Sequence, residues 1–293
     1  MKPTTELPPI SFDIPETRKD LFEQGSSPMG WSAISKFLNC PESTRLGLLG
    51  IRRKKRIHDD GLVDELTAAE FGTLMHAVLA IRVVYGPETV SSWLSDSPLA
   101  KSFHPIDQEK AQKMLRVYEE NYPLESEPWE YVGVETTVVT DIGGGILRSA
   151  RYDKLVRMKR DHALFSLEHK TASKQGSTYV ASYTPQMMTQ QTVWNKNAAL
   201  VECYGRMQGV WIDQLVKTQV PKCERLGPYL FMRLQEDRMV ETLRLAESNY
   251  HAMPVASDGS WPRHFQSCWG RFGACEYLGL CHDNAIGDYE QVS

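Results

Sequence analysis

The sequence predicts an α/β (α+β) fold in which a central mixed sheet is flanked by helices. Three consecutive segments within residues 129–170 alternate apolar and polar residues, which is the period of β-strands. On either side of them, segments such as 71–79 carry apolar residues at helical spacing. The chain has 293 residues, 41% hydrophobic and 24% charged, so it is long enough for one large domain or two smaller ones.

A β-hairpin is the centre of the predicted sheet, with strands over residues 151–158 and 163–170. If the hairpin is symmetric about its polar tip, residues whose numbers add up to 321 face each other, so Asp153 faces Glu168. Directly opposed Cβ atoms are about 4.5–5.5 Å apart. Lys170 lies two residues beyond Glu168 and therefore shares its face of the sheet. Two acids and a lysine are thus predicted to converge on one spot.

This convergence indicates a divalent metal site. Like charges side by side are costly unless a cation neutralises them, and Mg²⁺ or Mn²⁺ takes oxygen ligands. The preceding strand, over residues 129–140, joins the hairpin through a glycine turn, and pairing about Gly144 sets Glu135 opposite Asp153. The alternative is a solvated polar face held by salt bridges, and a register slip of one residue would remove the alignment.

Residues 1–29 are rich in Pro, Glu, Thr and Ser, and they are predicted to form a flexible or surface-draped arm. A short helix is then expected to begin with Ser32 as its N-cap and to be ended by Pro41. Cys40 stands at the end of this helix. Its thiol is either a ligand for something bound there or a small residue buried under the helix end.

A second helix is predicted from the capping box Thr67-Ala-Ala-Glu70 and the apolar residues that follow it. Gly72 and His76 lie one turn apart at the edge of its apolar stripe. A histidine in this position is usually a core residue, and the alternative is a metal ligand that leans over the sheet. Residues 84–128 carry further helical patterns and are predicted to be a helical insertion ahead of the sheet.

After the hairpin, a helix is expected over residues 184–204, with Pro185 in its first turn. Gln186 would then point toward the end of the sheet that the chain has just left. The remaining predicted elements are strands over residues 207–216 and 227–234 and a helix over residues 235–250.

The C-terminal tail, at about residues 262–285, holds Cys268, Cys275 and Cys281 among glycines and aromatic residues. Irregular chain with several thiols is typical of a metal or cluster site. Three thiolates need a fourth ligand, and Cys40 is the best candidate because the other two cysteines lie inside predicted core elements. All-sulfur ligation fits an iron–sulfur cluster or Zn²⁺, and the spacing does not separate the two.

The net charge of −4 does not by itself indicate a nucleic-acid-binding protein, but acidic metal ligands lower the net charge of nucleases. Basic residues cluster locally at Arg52, Arg53, Lys54 and Lys55, and Lys174 lies near the hairpin. Such a cluster is either a solvated face or a DNA contact. The sequence has neither a signal peptide nor a run approaching the ~20 apolar residues of a membrane span, which predicts a cytoplasmic protein without a membrane segment.

With these residues assembled, the chain resembles the RecB-like branch of the PD-(D/E)XK nuclease superfamily, in its iron–sulfur form. The resemblance implies a restriction-endonuclease-like core within one nuclease domain, over residues 30–293. The matching pieces occur in the family's order. They are Ser32-Ala-Ile-Ser35 to Cys40-Pro41, Gly72-Thr-Leu-Met-His76, Asp153, Glu168-His169-Lys170-Thr171, Gln186, and the cysteines Cys268, Cys275 and Cys281.

The resemblance implies that His76, Asp153 and Glu168 hold Mg²⁺ or Mn²⁺ together with the backbone carbonyl of His169. Lys170 would orient or deprotonate the attacking water and stabilise charge at the scissile phosphate.

Gln186 matches a family glutamine that helps to position the lysine or the DNA. The family often has a tyrosine four residues later, where this chain has Gln190, so the resemblance leaves open which glutamine acts. Similar nucleases of CRISPR spacer acquisition and of AddAB-type complexes carry a 4Fe–4S cluster that joins the C-terminal tail to the helix near the N-terminus. By resemblance, Cys40 would pair with the tail cysteines and close a long loop.

The function expected from the sequence is that of a metal-dependent DNA exonuclease acting on single strands or DNA ends in recombination, replication or repair. The chain lacks a Walker A motif, and a stand-alone enzyme of this kind would fit a phage genome. Its expected partners are DNA and a recombination or replication protein. The alternatives are an end-processing endonuclease of CRISPR adaptation, a catalytically silent iron–sulfur DNA-binding module and a zinc-stabilised interaction protein.

Overall fold

The computed structural model has the predicted α/β architecture, with helices before, around and after a central sheet. It describes residues 2–23, 29–53, 65–172, 180–257, 259–270, 273–282 and 286–291. In chain order the elements are α1 (Arg18–Glu23), α2 (Trp31–Asn39), α3 (Pro41–Leu48), β1 (Ile51–Arg53), α4 (Ala68–Tyr85), α5 (Pro87–Asp96), α6 (Pro98–Lys101), α7 (Pro105–Asn121), β2 (Trp129–Asp141), β3 (Leu147–Met158), β4 (Leu164–Ala172), α8 (Val180–Asn195), α9 (Ala198–Tyr204), β5 (Met207–Val216), β6 (Lys222–Tyr229), α10 (Arg233–His251), β7 (Trp269–Gly270), β8 (Gly273–Ala274), α11 (Leu278–His282) and β9 (Tyr289–Gln291).

The central sheet has five strands in the order β2-β3-β4-β5-β6. Strands β4 and β5 run parallel, whereas the other neighbouring pairs run antiparallel, so the sheet is mixed as predicted. The parallel pair requires a crossover connection, and helices α8 and α9 supply it. Because β4 lies in the middle of the sheet, the residues from Leu164 to His169 are all buried.

The register predicted for the hairpin is confirmed, since Lys154 pairs with Leu167 and the next three pairs keep the same sum of 321. The pairing predicted for β2 and β3 also holds over most of their length, with Val134 opposite Lys154. A bulge between Tyr131 and Gly133 shifts the pairing by one residue at the far end. The bulge lies away from the acidic residues, so it does not disturb their alignment.

Helix α4 is the central core helix. Its first turn is the predicted capping box, in which Thr67 accepts from the Glu70 backbone and Glu70 accepts from the Thr67 backbone. Leu74, Val78 and Ile81 are fully buried. By its 18-residue length and apolar composition α4 also qualifies as a candidate membrane span, contrary to the expectation above. Its place in the core accounts for that composition.

The structure corrects the predicted start of α2. The helix begins at Trp31 with Gly30 at the N-cap, so Ser32 is in the first turn and is not the cap. Pro41 opens α3 directly after it, because a proline at the first helical position needs no hydrogen-bond partner for its nitrogen. Cys40 lies between the two helices in extended backbone.

The bounds predicted for the elements around and after Gln186 are also wrong. Helix α8 reaches back at least to Val180, so Pro185 lies inside the helix and not in its first turn. Asn197 interrupts the expected single helix and caps α9, since its side chain accepts from the Leu200 backbone at 3.1 Å. Strand β6 lies earlier than predicted because the residues after it turn away to begin α10.

The described part of the N-terminal arm, residues 2–23, lies against the domain. The Thr4 backbone donates to the Val139 carbonyl at 2.8 Å, and the Tyr85 hydroxyl donates to the Phe12 carbonyl at 2.7 Å. Leu21 in α1 is fully buried. These contacts place the described part of the arm against the rest of the domain. Helices α5, α6 and α7 occupy the stretch that was predicted to be a helical insertion.

Candidate active site

A cavity of about 210 Å³ opens where β3 and β4 meet helices α2, α4 and α8. Each of these elements contributes side chains to its wall. The lining includes Trp31, Ser32, His76, Arg151, Asp153, Lys170, Gln186 and Gln190.

Three potential metal-ligand atoms meet at this cavity. Nδ1 of His76 lies 3.3 Å from Oδ1 of Asp153 and 3.7 Å from Oε1 of Glu135. The three residues offer ligand atoms that all lie within 4.8 Å of one another. His76 Nδ1 is buried and makes no hydrogen bond. Two carboxylates and a free imidazole nitrogen are donors that a divalent cation accepts, so the residues present fit such an ion.

Local backbone features bring these groups together. At Gly72, one turn before His76, a Cβ would lie 3.3 Å from Oγ1 of Thr171, so the glycine lets α4 approach β4 closely. Glu135 has a φ of 47°, the left-handed region that residues other than glycine rarely adopt. Such a conformation costs of order 1–3 kcal/mol and persists where the surrounding structure over-determines it, often at active sites.

The electrostatics of this group favour a positive charge. Burial lowers the pKa of His76, but the carboxylates of Asp153 and Glu135 outweigh burial and raise it to about 10. Burial raises the pKa of Asp153, but His76 and the hydrogen bond from His169 bring it well below its ordinary value. Without a metal the positive charge is therefore a proton on His76, and a divalent ion would compete for the same place.

Glu168 lies deeper in the sheet and is held by three side chains. Lys170 Nζ donates to its Oε2 at 3.0 Å and Gln186 Nε2 donates to the same oxygen at 3.2 Å. Gln190 Nε2 donates to Oε1 at 2.6 Å. Burial and the charge of Asp153 raise the pKa of Glu168. Burial lowers the pKa of Lys170, but Glu168 and Asp153 more than offset it, so the pKa lies above its ordinary value.

Both glutamines named above therefore contact the same carboxylate. Gln190 is 3% exposed and also donates to the Arg151 carbonyl at 3.0 Å. The contacts with Glu168 therefore do not single out either Gln186 or Gln190 as the acting glutamine. The close three-ligand group, however, contains Glu135 and not Glu168.

The comparison with known protein families decides the identity of this fold. The sequence model of the PD-(D/E)XK nuclease superfamily matches residues 28–282. The chain belongs to this superfamily. The match runs from the start of α2 to the end of α11 and so contains both the cavity residues and the cysteine tail. Asp153 followed by Glu168-His169-Lys170 has the D…EXK form that the name of the superfamily describes.

Comparison with solved structures finds matches at low sequence identity, two of which have TM-scores below 0.5. One is the "Putative exonuclease" from Eubacterium rectale, with a TM-score of 0.49 and 11% identity over 88% of each chain. Another is the protein SSO0001, with a TM-score of 0.29 and 12% identity over 74% of this chain and 86% of that one. No curated protein matches the chain.

In this PD-(D/E)XK nuclease the side chain of His169 turns away from the cavity, into a buried polar network. Its backbone N–H donates to Oδ2 of Asp153 at 2.7 Å. Its ring Nε2 lies 3.2 Å from Lys154 Nζ and 3.5 Å from the Tyr118 hydroxyl. Burial and the charge of Lys154 lower the pKa of His169 to about 3, and burial lowers that of Lys154 to about 7. The imidazole is therefore neutral, and its Nε2 lies within hydrogen-bond distance of Lys154.

The network continues through Asp213, which lies beside His169 on β5. Arg225 Nε is 2.7 Å from Oδ1 of Asp213, and its Nη1 is 2.7 Å from Oε2 of Glu127. The guanidinium also lies 4.0 Å from the ring centre of Tyr122 and 4.3 Å from that of Trp129. These residues were not predicted from the sequence. Asp213, the one charged residue of the mostly apolar strand β5, is the signal that could have indicated them.

The structure places the four cysteines of the predicted cluster around one small cavity of about 20 Å³. Cys40 comes from the α2–α3 junction, and Cys268, Cys275 and Cys281 come from the tail. All four are free thiols. Of the other two cysteines, Cys203 is exposed, which corrects the core position predicted for it, and Cys223 is half-buried on β6.

The structure describes only some of the residues that are predicted to contact DNA. Lys54, Lys55 and Lys174 lie outside the described residues. Arg52 and Arg53 form the end of β1, where their backbones pair with Glu290 and Tyr289 of β9.

Proposed function

We propose that this nuclease is a divalent-metal-dependent DNA exonuclease that hydrolyses phosphodiester bonds of single strands or DNA ends. The observation that carries the proposal is the meeting of His76, Glu135 and Asp153 beside a cavity that is lined by His76, Asp153 and Lys170. An acidic group with an imidazole beside a lysine is suited to hydrolysis at a phosphate, where charge must be neutralised on an anionic substrate.

In this proposal His76, Asp153 and Glu135 hold Mg²⁺ or Mn²⁺, with Glu168 and the His169 carbonyl as the further ligands that the family resemblance implies. The bound ion would neutralise phosphate charge and lower the pKa of water. The orientation of Asp153 is fixed by a hydrogen bond. Asp153 is oriented by the His169 backbone, so one of its oxygens is held while the other faces His76.

Lys170 is assigned the role of stabilising charge at the scissile phosphate and orienting the water. It carries its proton, because the neighbouring carboxylates keep its pKa high. A charged ammonium in a largely buried site stabilises a developing negative charge more strongly than it would in water. Gln186 and Gln190 are assigned to hold Glu168, which in turn fixes the lysine at 3.0 Å.

The proposal is tested with end-labelled linear DNA and closed circular single-stranded DNA, each with Mg²⁺, with Mn²⁺ and with a chelator. We expect metal-dependent shortening of the linear strands and an intact circle. Cleavage of the circle would instead identify an endonuclease, such as one that trims ends in CRISPR adaptation. DNA binding without cleavage under every condition would identify a catalytically silent module.

We expect His76→Ala to raise the Mn²⁺ concentration required for half-maximal activity by about tenfold or more, with activity recovered at excess Mn²⁺. The reason is that His76 Nδ1 lies 3.3 Å from an oxygen of Asp153 and 3.7 Å from an oxygen of Glu135, so that the three atoms can bind the same ion. Titration of DNA cleavage with Mn²⁺ measures this shift. His251→Ala is the matched control, since that histidine is 71% exposed and lies outside the cavity. A loss of stability with no recovery by Mn²⁺ would make His76 a core residue only.

We also propose that Cys40, Cys268, Cys275 and Cys281 hold a 4Fe–4S cluster. The support is their arrangement around one cavity, from positions far apart in the sequence. All-sulfur ligation fits a 4Fe–4S cluster, and Zn²⁺ is the alternative.

We expect anaerobically purified protein to be brown and to contain about four irons and four labile sulfides per chain. Cys40→Ser or Cys275→Ser should bleach the protein and lower its melting temperature, because the thiolates join the tail to the N-terminal helices. Cys203→Ser is the control that should keep its colour, since this cysteine is exposed elsewhere. Stoichiometric zinc without iron would contradict the cluster and favour a zinc-stabilised protein.

We place this activity in recombination, replication or repair of DNA in the cytoplasm, in a phage-encoded enzyme that works with a recombination or replication protein. The support is the membership of residues 28–282 in the PD-(D/E)XK nuclease superfamily. Co-purification of the tagged enzyme from infected cells, compared with the Lys170→Met variant, tests the partner.

A further inference from the structure

Arg151 is a second long basic side chain in the catalytic cavity, and the proposed function gives it no role. It lies on β3 two residues before Asp153, so both side chains face the same side of the sheet, and both line the cavity. The side chain of Arg151 is 26% exposed and that of Lys170 is 15% exposed. A positive charge that is largely shielded from water attracts an anion more strongly than a surface charge does. Both side chains are therefore suited to hold phosphate.

The two cations lie on opposite sides of the row of carboxylates. Arg151 Nε is 3.4 Å from Oε2 of Glu135, which belongs to β2. Lys170 Nζ is 3.0 Å from Oε2 of Glu168, and both of these residues belong to β4. Asp153 lies between them, because β3 is the strand between β2 and β4. A DNA strand whose scissile phosphate lies at Lys170 would therefore bring a neighbouring phosphate toward Arg151.

The cavity also contains a polar atom that the protein leaves unsatisfied. Gln190 lines the cavity and is 3% exposed, and its Oε1 is buried without a hydrogen-bond partner. Its Nε2 donates to Glu168 and to the Arg151 carbonyl, which fixes the direction of the amide. An unpaired buried acceptor is costly, and a hydrated polar ligand in the cavity would satisfy it. This observation points to a polar occupant beside Arg151.

The first turn of α2 adds hydrogen-bond donors on the same side of the cavity. The Ser149 backbone donates to the Met29 carbonyl at 3.3 Å and ties the start of α2 to β3, two residues before Arg151. Gly30 is the N-cap, and no side chain caps the helix there. Ser32, in this turn, lines the cavity. An anion beside the guanidinium would also lie near the positive end of the helix dipole.

We propose that Arg151, assisted by the first turn of α2, binds the phosphate next to the scissile phosphate on the same DNA strand. This inference rests on the proposed function and gives its substrate class as strands with a charged phosphodiester beside the cleaved bond. A planar guanidinium matches two phosphate oxygens at once, which the point charge of a lysine does not. Holding two consecutive phosphates determines which bond reaches Lys170, so Arg151 is a specificity-determining residue.

Binding without metal tests the contact separately from catalysis. A fluorescently labelled single-stranded oligonucleotide is titrated with the protein in EDTA at several salt concentrations, and anisotropy gives Kd. We expect Arg151→Met to raise Kd about tenfold, as loss of one charge-assisted contact does. The slope of log Kd against log salt should fall by about 0.7, the value for one phosphate of a single strand. Arg157→Met is the matched control, since Arg157 is also on β3 but donates to the Tyr204 carbonyl.

Cleavage with Mn²⁺ identifies which phosphate the arginine holds. The substrates are oligonucleotides in which one phosphate at a time is replaced by an uncharged methylphosphonate. With the wild type, replacement of one phosphate beside the cleaved bond should lower kcat/KM about tenfold. Arg151→Met should be slower on the all-phosphate strand by a similar factor and should lose this position dependence. Arg151→Lys, which keeps the charge but not the planar fork, should lie between the two.

Three results would overturn the phosphate site while leaving the exonuclease intact. One is equal cleavage by the wild type wherever the methylphosphonate is placed. Another is an unchanged salt slope in folded Arg151→Met and Arg151→Lys. The third is a wild-type methylphosphonate profile in Arg151→Met with only a higher Mn²⁺ requirement, which would show that the arginine merely positions Glu135. Absence of cleavage of the all-phosphate strand by the wild type would instead contradict the proposed function.

Discussion

Lys170→Met should lower the rate of metal-dependent DNA cleavage by about 10²–10³-fold while the protein remains folded. The ammonium lines the catalytic cavity and is held at 3.0 Å from Glu168. Methionine keeps the apolar stem beside the Tyr183 ring, which the ammonium faces at 5.4 Å, but removes the charge. The initial rate at saturating Mn²⁺, with end-labelled single-stranded DNA, measures the effect.

The comparison that isolates the role of this lysine uses two further variants. Asp153→Asn should lose activity to a similar extent but should also lose Mn²⁺ binding in calorimetry, whereas Lys170→Met should retain it. Lys217→Met is the matched control, because Lys217 likewise faces an aromatic ring, that of Phe71 at 5.3 Å, but does not line the cavity. A folded Lys170→Met enzyme with the wild-type rate would remove the lysine from the mechanism.

The alignment of the acidic residues could be predicted because local signals determine both turns. A polar tip between two alternating segments leaves one symmetric pairing for the hairpin, and the glycine turn around Gly144 does the same for β2 and β3. Both registers continue toward Asp153, and Glu135 and Glu168 therefore lie on the strands at either side of it. Consecutive antiparallel strands are the case in which sequence distance and spatial distance agree.

The helix boundaries show the opposite case. At Thr67 two reciprocal signals, the threonine and Glu70, specify the start of α4, and the prediction was correct. Ser32 and Pro185 are single signals, and both helices start upstream of them. A single favourable residue contributes about 1 kcal/mol, which the burial of one additional large side chain in the preceding turn can outweigh.

The buried network behind the site could not be predicted because it depends on the parallel pairing of β4 with β5. That pairing sets His169 beside Asp213, 44 residues apart in sequence and separated by the α8–α9 crossover. No local turn specifies it. The network nevertheless bears on the site, since the backbone N–H of His169 orients Asp153 while its ring is held by Lys154 and Tyr118.

Arg225→Leu should lower the free energy of unfolding by about 3–5 kcal/mol, because it leaves the buried carboxylates of Asp213 and Glu127 without their cation. Asp213 is fully buried and Glu127 is 3% exposed. Burial raises the pKa of Asp213, but Arg225 outweighs burial and lowers it, so the charge on Asp213 depends on the arginine. Urea unfolding followed by tryptophan fluorescence measures the change.

Arg160→Leu is the matched control, since Arg160 is 85% exposed and its pair with Asp161 should contribute nothing measurable. Adding Asp213→Asn and Glu127→Gln to Arg225→Leu should recover part of the stability, because the buried charges are then removed together. Activity per folded molecule should also fall in Arg225→Leu, since Asp213 would no longer be held beside His169, whose backbone positions Asp153. An unfolding midpoint equal to that of the wild type would show that solvent reaches the two carboxylates and that the network supports neither the fold nor the site.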